Sequence, residues 1–212
     1  SDGQMNSWFN AVDRHVLSGH GEQIAIQYES PITGASSSLS FAELQKMTAK
    51  FAGMLMQQGL AKGDRVIIYM PMIKEAVIAM LGCARIGVVH SVVFGGFAAA
   101  ELAKRIDDCQ PKLIVSASCG HEPSRIVYYK PLLDQAIEQA NHKPPTCVIY
   151  QRDAVTAKMI EGRDIEWHEA MEPAIPAEPV AVMANDPLYI LYTSGTTGQP
   201  KGGVRDNGGH AV

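Results

Sequence analysis

Three runs follow one another in the chain: Arg65-Val-Ile-Ile-Tyr-Met70, Lys74-Glu-Ala-Val-Ile-Ala-Met-Leu-Gly-Cys-Ala-Arg-Ile86 and Val88-Val-His-Ser-Val-Val-Phe94. The first and third are short and almost continuously apolar, which fits strands buried on both faces. Pro71 closes the first and Gly95-Gly96 the third. The middle run is too long for a strand and mostly apolar, so it predicts a buried helix. Strand, helix and strand in this order predict a parallel pair joined by a crossover helix.

The same alternation continues on both sides. Downstream, Ala98 to Asp108 predicts a helix ended before Pro111, Leu113 to Ser116 a strand, Leu132 to Ala140 a helix and Thr146 to Tyr150 a strand. Upstream, Ser40 and Glu43 form a capping box. Leu44, Met47, Phe51, Met54 and Leu55 then line one helical face, with Gly59 as the stop. Ile24 to Tyr28 and Leu39 to Phe41 can pair as a hairpin around the turn Pro31 to Gly34. Trp8, Phe9, Val12, Val16 and Leu17 mark an amphipathic helix near 7–17. The expected fold class is α/β, a mostly parallel sheet with helices on both faces.

From Gln151 to Asn185 the pattern changes. Charges mix with Pro173, Pro176 and Pro179, which predicts a long irregular connection. The expected organisation is an α/β subdomain over 1–150, an irregular connection over 151–186, and the start of a second subdomain over 187–212. A strand followed by a loop normally goes on to a crossover helix and a further strand. The chain therefore reads as a piece of a longer one.

The 212 residues carry 18 Lys+Arg against 22 Asp+Glu, a composition that excludes a disordered tail or a disulfide-dense miniprotein. The slightly acidic balance argues against a nucleic-acid partner held by phosphate neutralisation. No apolar run approaches the roughly 18 residues that a membrane span needs. No basic and then apolar leader opens the chain, although Ser1-Asp2-Gly3 is no initiator and a removed targeting segment would leave no trace. Cys83, Cys109, Cys119 and Cys147 form no C-x-x-C and have no zinc-ligand spacing to histidine. They read as structural thiols in a reducing compartment, with cytoplasmic localisation expected and the mitochondrial matrix as the alternative.

The chemistry concentrates in Tyr192-Thr-Ser-Gly-Thr-Thr-Gly-Gln-Pro-Lys-Gly202, directly after the apolar strand Pro187 to Tyr192. Glycines let backbone N–H groups approach an anion, and successive N–H groups in turns form an anion nest. Hydroxyls add donors, and Lys201 supplies a point charge suited to a polyphosphate. The stretch is not a Walker A loop. Five residues after Gly195 stands Pro200 where that motif needs Gly, and no Ser or Thr follows the lysine.

This stretch resembles the phosphate-binding signature of the AMP-forming adenylating enzymes, which include acyl-CoA synthetases, luciferases and nonribosomal adenylation domains. Asn6 to His15, Gly63 to Pro71 and Val92 to Phe97 resemble the short-chain acyl-CoA synthetases, so the likeness runs over essentially the whole chain. Arg205-Asp-Asn-Gly-Gly-His210 is more similar to propionyl-CoA synthetases than to acetyl-CoA synthetases.

The resemblance implies a two-step reaction in which ATP, with Mg²⁺, and a short-chain carboxylate form an acyl-adenylate that CoA then takes up. It assigns Thr193, Ser194, Gly195, Thr196, Thr197, Gly198 and Lys201 to the ATP phosphates. It assigns Phe94, Gly95, Gly96 and Arg125 to CoA, while Glu122 stands where acetate-type enzymes carry a second arginine. Gly203 departs from the family, which has an apolar, often β-branched residue there. The expected partners are small molecules and the missing remainder of the chain, and this part alone is expected not to turn over. An adenylating ligase with a non-CoA acceptor, or a naturally short nucleotide-binding domain, remain the alternatives.

Overall fold

In a computed structural model, residues 4–93, 95, 97–193 and 201–211 are described. The elements run β1 (Gln4–Met5), β2 (Ile24–Ser30), β3 (Ala35–Ser40), α1 (Phe41–Gln57), β4 (Arg65–Tyr69), α2 (Lys74–Arg85), β5 (Val89–Val92), α3 (Ala99–Cys109), β6 (Leu113–Ala117), β7 (Cys119–Glu122), β8 (Arg125–Tyr128), α4 (Tyr129–Gln139), β9 (Thr146–Tyr150), β10 (Asp164–Glu166), α5 (Trp167–Met171), β11 (Val182–Met183), β12 (Pro187–Thr193), β13 (Lys201–Asp206) and α6 (Asn207–Ala211).

A seven-stranded sheet in the order β10-β9-β6-β4-β5-β12-β13 forms the centre. All neighbours are parallel except β12 and β13. The apolar runs explain this arrangement, since Val66 to Tyr69, Leu113 to Val115 and Cys147 to Ile149 are fully buried, as strands covered on both faces must be. The chain steps from β4 to β5 in one direction and from β5 back across to β6 in the other. Right-handed crossovers therefore put α2 and α3 on opposite faces. Accordingly α1 packs with α2, and α3 with α4. The α1–α2 crossing is close because residue 82 is Gly, where an added Cβ would come within 2.6 Å of the Phe51 ring.

Local signals explain the start of α1. The Ser40 side chain accepts from the Glu43 N–H at 3.2 Å, and the Glu43 carboxylate accepts from the Ser40 N–H at 2.8 Å. Gly59, at φ +78°, ends the turn after the helix. All four cysteines are free and buried, as structural thiols should be. Burial pushes the Cys109 and Cys147 thiols up to about 12.

Several elements depart from the local signals. The amphipathic stretch near 7–17 is helical but wound as π-helical turns over Phe9–Asp13 and Val16–His20. The stretch expected to be an irregular connection carries β10, which adds a parallel strand beside β9, and α5. Burial overrides composition here. Trp167 is buried, stacks on Phe51 at 5.1 Å and meets Tyr150 edge-on at 6.0 Å. Its prolines lie beyond α5, where Ala177 N–H reaches the Ala49 carbonyl at 2.9 Å. The β7–β8 hairpin has no counterpart in the sequence reading, and α4 begins at Tyr129 rather than Leu132. Among the described residues the next element after β12 is β13, which pairs antiparallel with it.

Two stability predictions arise from the sheet. Gly203 in β13 is exposed, and a Cβ there would meet only the Leu191 carbonyl oxygen, at 3.6 Å. Gly203→Val is therefore expected to stabilise the chain by roughly 0.5–1 kcal/mol, measured by denaturant titration. A lower midpoint would show that the position needs Gly.

His90 in β5 is buried, with its ring 5.8 Å from that of Tyr189, and its Nδ1 has no hydrogen-bond partner. Burial and the nearby His210 depress its pKa from 6.5 to about 4. The unfolded chain thus binds the proton first, so stability is full above pH 6.5 and is lost as pH falls toward 4. A thermal midpoint followed over this range should fall, and His90→Leu should flatten that fall. An equal fall in the variant would exclude His90 as its source.

Candidate functional site

Ligands in open α/β sheets sit outside the carboxyl ends of the strands, where the strand order reverses. Here the reversal lies between β4 and β6, because β4 leads to β5 on one side and β6 leads to β9 on the other. Three features collect at this end of the sheet.

The first is the mouth of the loop after β12. Thr193 and Lys201 are cross-strand partners at the end of the β12–β13 pair, and both are exposed. Their Cα atoms are thus about 5 Å apart, as facing positions on antiparallel strands are. Residues 194–200, which include the candidate phosphate ligands Ser194, Gly195, Thr196, Thr197 and Gly198, lie outside the described residues. Both ends of that loop are pinned next to the parallel sheet, with β12 beside β5.

The second is the turn after β5. Gly95 is buried, whereas Phe94 and Gly96 lie outside the described residues. Tyr69 from β4 donates from its hydroxyl to the Phe97 carbonyl at 3.3 Å. The Tyr69 ring stacks on Tyr129 at 5.1 Å. The Tyr129 ring occupies the space where a Cβ on residue 95 would stand, and a Cβ on residue 120 would come within 2.8 Å of its hydroxyl. Two glycines therefore leave a slot for one tyrosine, which holds the turn from below. Burial raises the pKa of Tyr129, and burial next to Tyr129 pushes that of Tyr69 up to about 12.

The third is a polar cavity of about 530 Å³ beyond β4, β6 and β9, with Lys74, His121, Tyr150 and Arg152 among its lining residues. The sequence reading singled out none of these. Only the topology brings them together, from α2, β7, the end of β9 and the loop that follows it.

Arg125 does not sit deep in this region. It is exposed at the start of β8 in the β7–β8 hairpin, where its Nε donates to Glu122 at 2.8 Å. Glu122 is thus its partner.

Tyr192, just before the loop mouth, is tied to α3. Its hydroxyl donates to Asp108 of α3 at 2.6 Å. Burial, reinforced by that carboxylate, raises its pKa.

A family model described as AMP-binding enzyme matches residues 13–209. The chain belongs to this family. Over all 212 residues this AMP-binding enzyme chain is 54% identical to an uncharacterized protein of Pseudomonas aeruginosa and covers 34% of that protein. It is 50% identical over its whole length to acyl-CoA synthetase short-chain family member 3, mitochondrial, of Rattus norvegicus, and covers 31% of it. It is 44% identical over 210 residues to acetyl-coenzyme A synthetase of Streptomyces avermitilis, covering 32% of it. The chain thus spans about a third of the length of the curated relatives it matches. No helix among the described residues is long and apolar enough to cross a membrane.

Proposed function

We propose that these residues form part of the amino-terminal lobe of an AMP-forming acyl-CoA synthetase acting on a short-chain acid, propionate before acetate. A carboxylate oxygen attacks the α-phosphorus of MgATP, the bond to the β-phosphate oxygen breaks, and pyrophosphate leaves. The CoA sulfur then attacks the acyl carbon, its proton is lost, and AMP departs. The first step places charge on a polyphosphate leaving group, which protein donors stabilise without covalent chemistry.

The observation that carries the reading is the pinned pair Thr193 and Lys201 at the carboxyl end of the sheet, closing a loop of Ser, Thr and Gly. In this role Thr193, Ser194, Gly195, Thr196, Thr197 and Gly198 offer hydroxyl and N–H donors, and Lys201 a positive charge. Phe94, Gly95 and Gly96 contact CoA, with Arg125 at its nucleotide end. Mg²⁺ arrives with ATP. The likeness to short-chain acyl-CoA synthetases supports a CoA acceptor, and the Arg205 to His210 ending supports propionate. In the whole protein, 187–212 opens a second subdomain, and the remaining machinery lies outside this chain.

The test is ATP–pyrophosphate exchange by the full-length protein, with propionate and acetate compared, followed by thioester formation with CoA. Exchange that depends on propionate and is absent from the 212-residue chain is expected. Exchange without thioester formation would redirect the reading to another acceptor, and exchange by the isolated chain would overturn its expected inactivity.

A further inference from the structure

We infer that Arg105 is a positioning residue that fixes the spacing between the 95–97 turn and the mouth of the Thr193–Lys201 loop. The inference rests on the reading that the loop takes ATP phosphates and the turn takes CoA.

Arg105 lies on α3, and its side chain is only 5% exposed. Its guanidinium carbon stands 4.3 Å from the centroid of the Phe97 ring and 5.6 Å from that of Tyr192. One planar cation therefore faces an aromatic residue of each segment. Phe97 follows Gly95 in the turn, and Tyr192 precedes Thr193 at the loop mouth. Nη1 donates to the Glu101 carbonyl at 2.7 Å and to its carboxylate at 3.3 Å, which fixes the fork relative to α3. Tyr192 is held to the same helix through Asp108.

Stability does not account for a cation here. Burying a guanidinium costs more than a half-exposed pair one helical turn away returns, and an apolar side chain of similar volume would fill the site at least as well. What Arg brings is a flat, permanently charged group that stacks on two rings at once, which Lys cannot reproduce. The proposed reaction makes the acyl-adenylate beside the loop and then requires the thiol to reach it from the turn. The distance between the two segments thus enters the second step, and Arg105 sets it.

The test is a double-mutant cycle in the full-length protein with Phe97→Leu and Tyr192→Leu, in the native and the Arg105→Met backgrounds. ATP is read by pyrophosphate exchange and CoA by thioester formation. With Arg105 present, Phe97→Leu is expected to raise KM for ATP about threefold, and Tyr192→Leu to raise KM for CoA about threefold. In the Arg105→Met background both cross-effects should vanish, while that substitution alone raises both KM values with a smaller change in kcat. Arg105→Lys should recover only part.

A structural role alone would lower the thermal midpoint without cross-effects, and additive behaviour with normal exchange would overturn the inference. Should Arg105→Met fail to fold, an unchanged KM for ATP in Phe97→Leu would overturn it equally. Absence of exchange in the native protein would instead remove the reading of the loop on which the inference stands.

Discussion

Lys201→Ala in the full-length protein is expected to slow ATP–pyrophosphate exchange about 100-fold, the usual effect of removing one charge-stabilising donor from a preorganised site. Lys201 is exposed at the first position of β13, opposite Thr193. Substitutions at such surface positions shift stability by about 0.5 kcal/mol or less. The loss should therefore appear in the rate while the thermal midpoint stays close to its native value. The two half-reactions separate the role further. With preformed acyl-adenylate supplied, the CoA step no longer expels pyrophosphate and should proceed within about threefold of normal, because the charge acts on the leaving polyphosphate. Exchange at the native rate would show that the lysine does not face the phosphates, and with it the proposed cradle would lose its only fixed charge.

Gly95→Ala should act in the opposite way, through packing first. The added methyl would overlap the Tyr129 ring. That ring has no room to retreat, since it is 7% exposed, stacks on Tyr69 at 5.1 Å and has Gly120 on its other side. The turn itself must move. Overpacking of this kind costs about 3 kcal/mol, and displacement of the turn should raise KM for CoA about tenfold, equivalent to about 1.4 kcal/mol. Adding Tyr129→Ala to Gly95→Ala should recover part of the stability by emptying the slot. A native thermal midpoint for Gly95→Ala alone would show that the turn and the ring are not packed as described.

The legibility of these features differs for physical reasons. The strand at 65–69 and the helix at 74–85 were legible because burial on both faces demands continuous apolar runs, and the run length separates strand from helix. The start of α1 was legible because a capping box spans only four residues, so that all its partners are near neighbours in the chain. The β7–β8 hairpin was not, because Cys119 to Tyr128 lacks the alternation and the turn dipeptides that announce such pairs. The same holds for the role of Glu122, which became the partner of Arg125 only once the hairpin set them side by side.

Residues and spacing by themselves determined a mostly parallel α/β sheet and a glycine- and hydroxyl-rich stretch ending in Lys201, because strand burial and helix caps are written in adjacent residues. Tertiary structure alone decided that β12 lies beside β5 and is paired on its other edge by the antiparallel β13, that Trp167 turns a proline-bearing segment into part of the core, and that Arg105 stands between Phe97 and Tyr192. Each of these joins positions far apart in sequence, and such contacts form only when burying side chains from several elements outweighs the local preferences of any one of them.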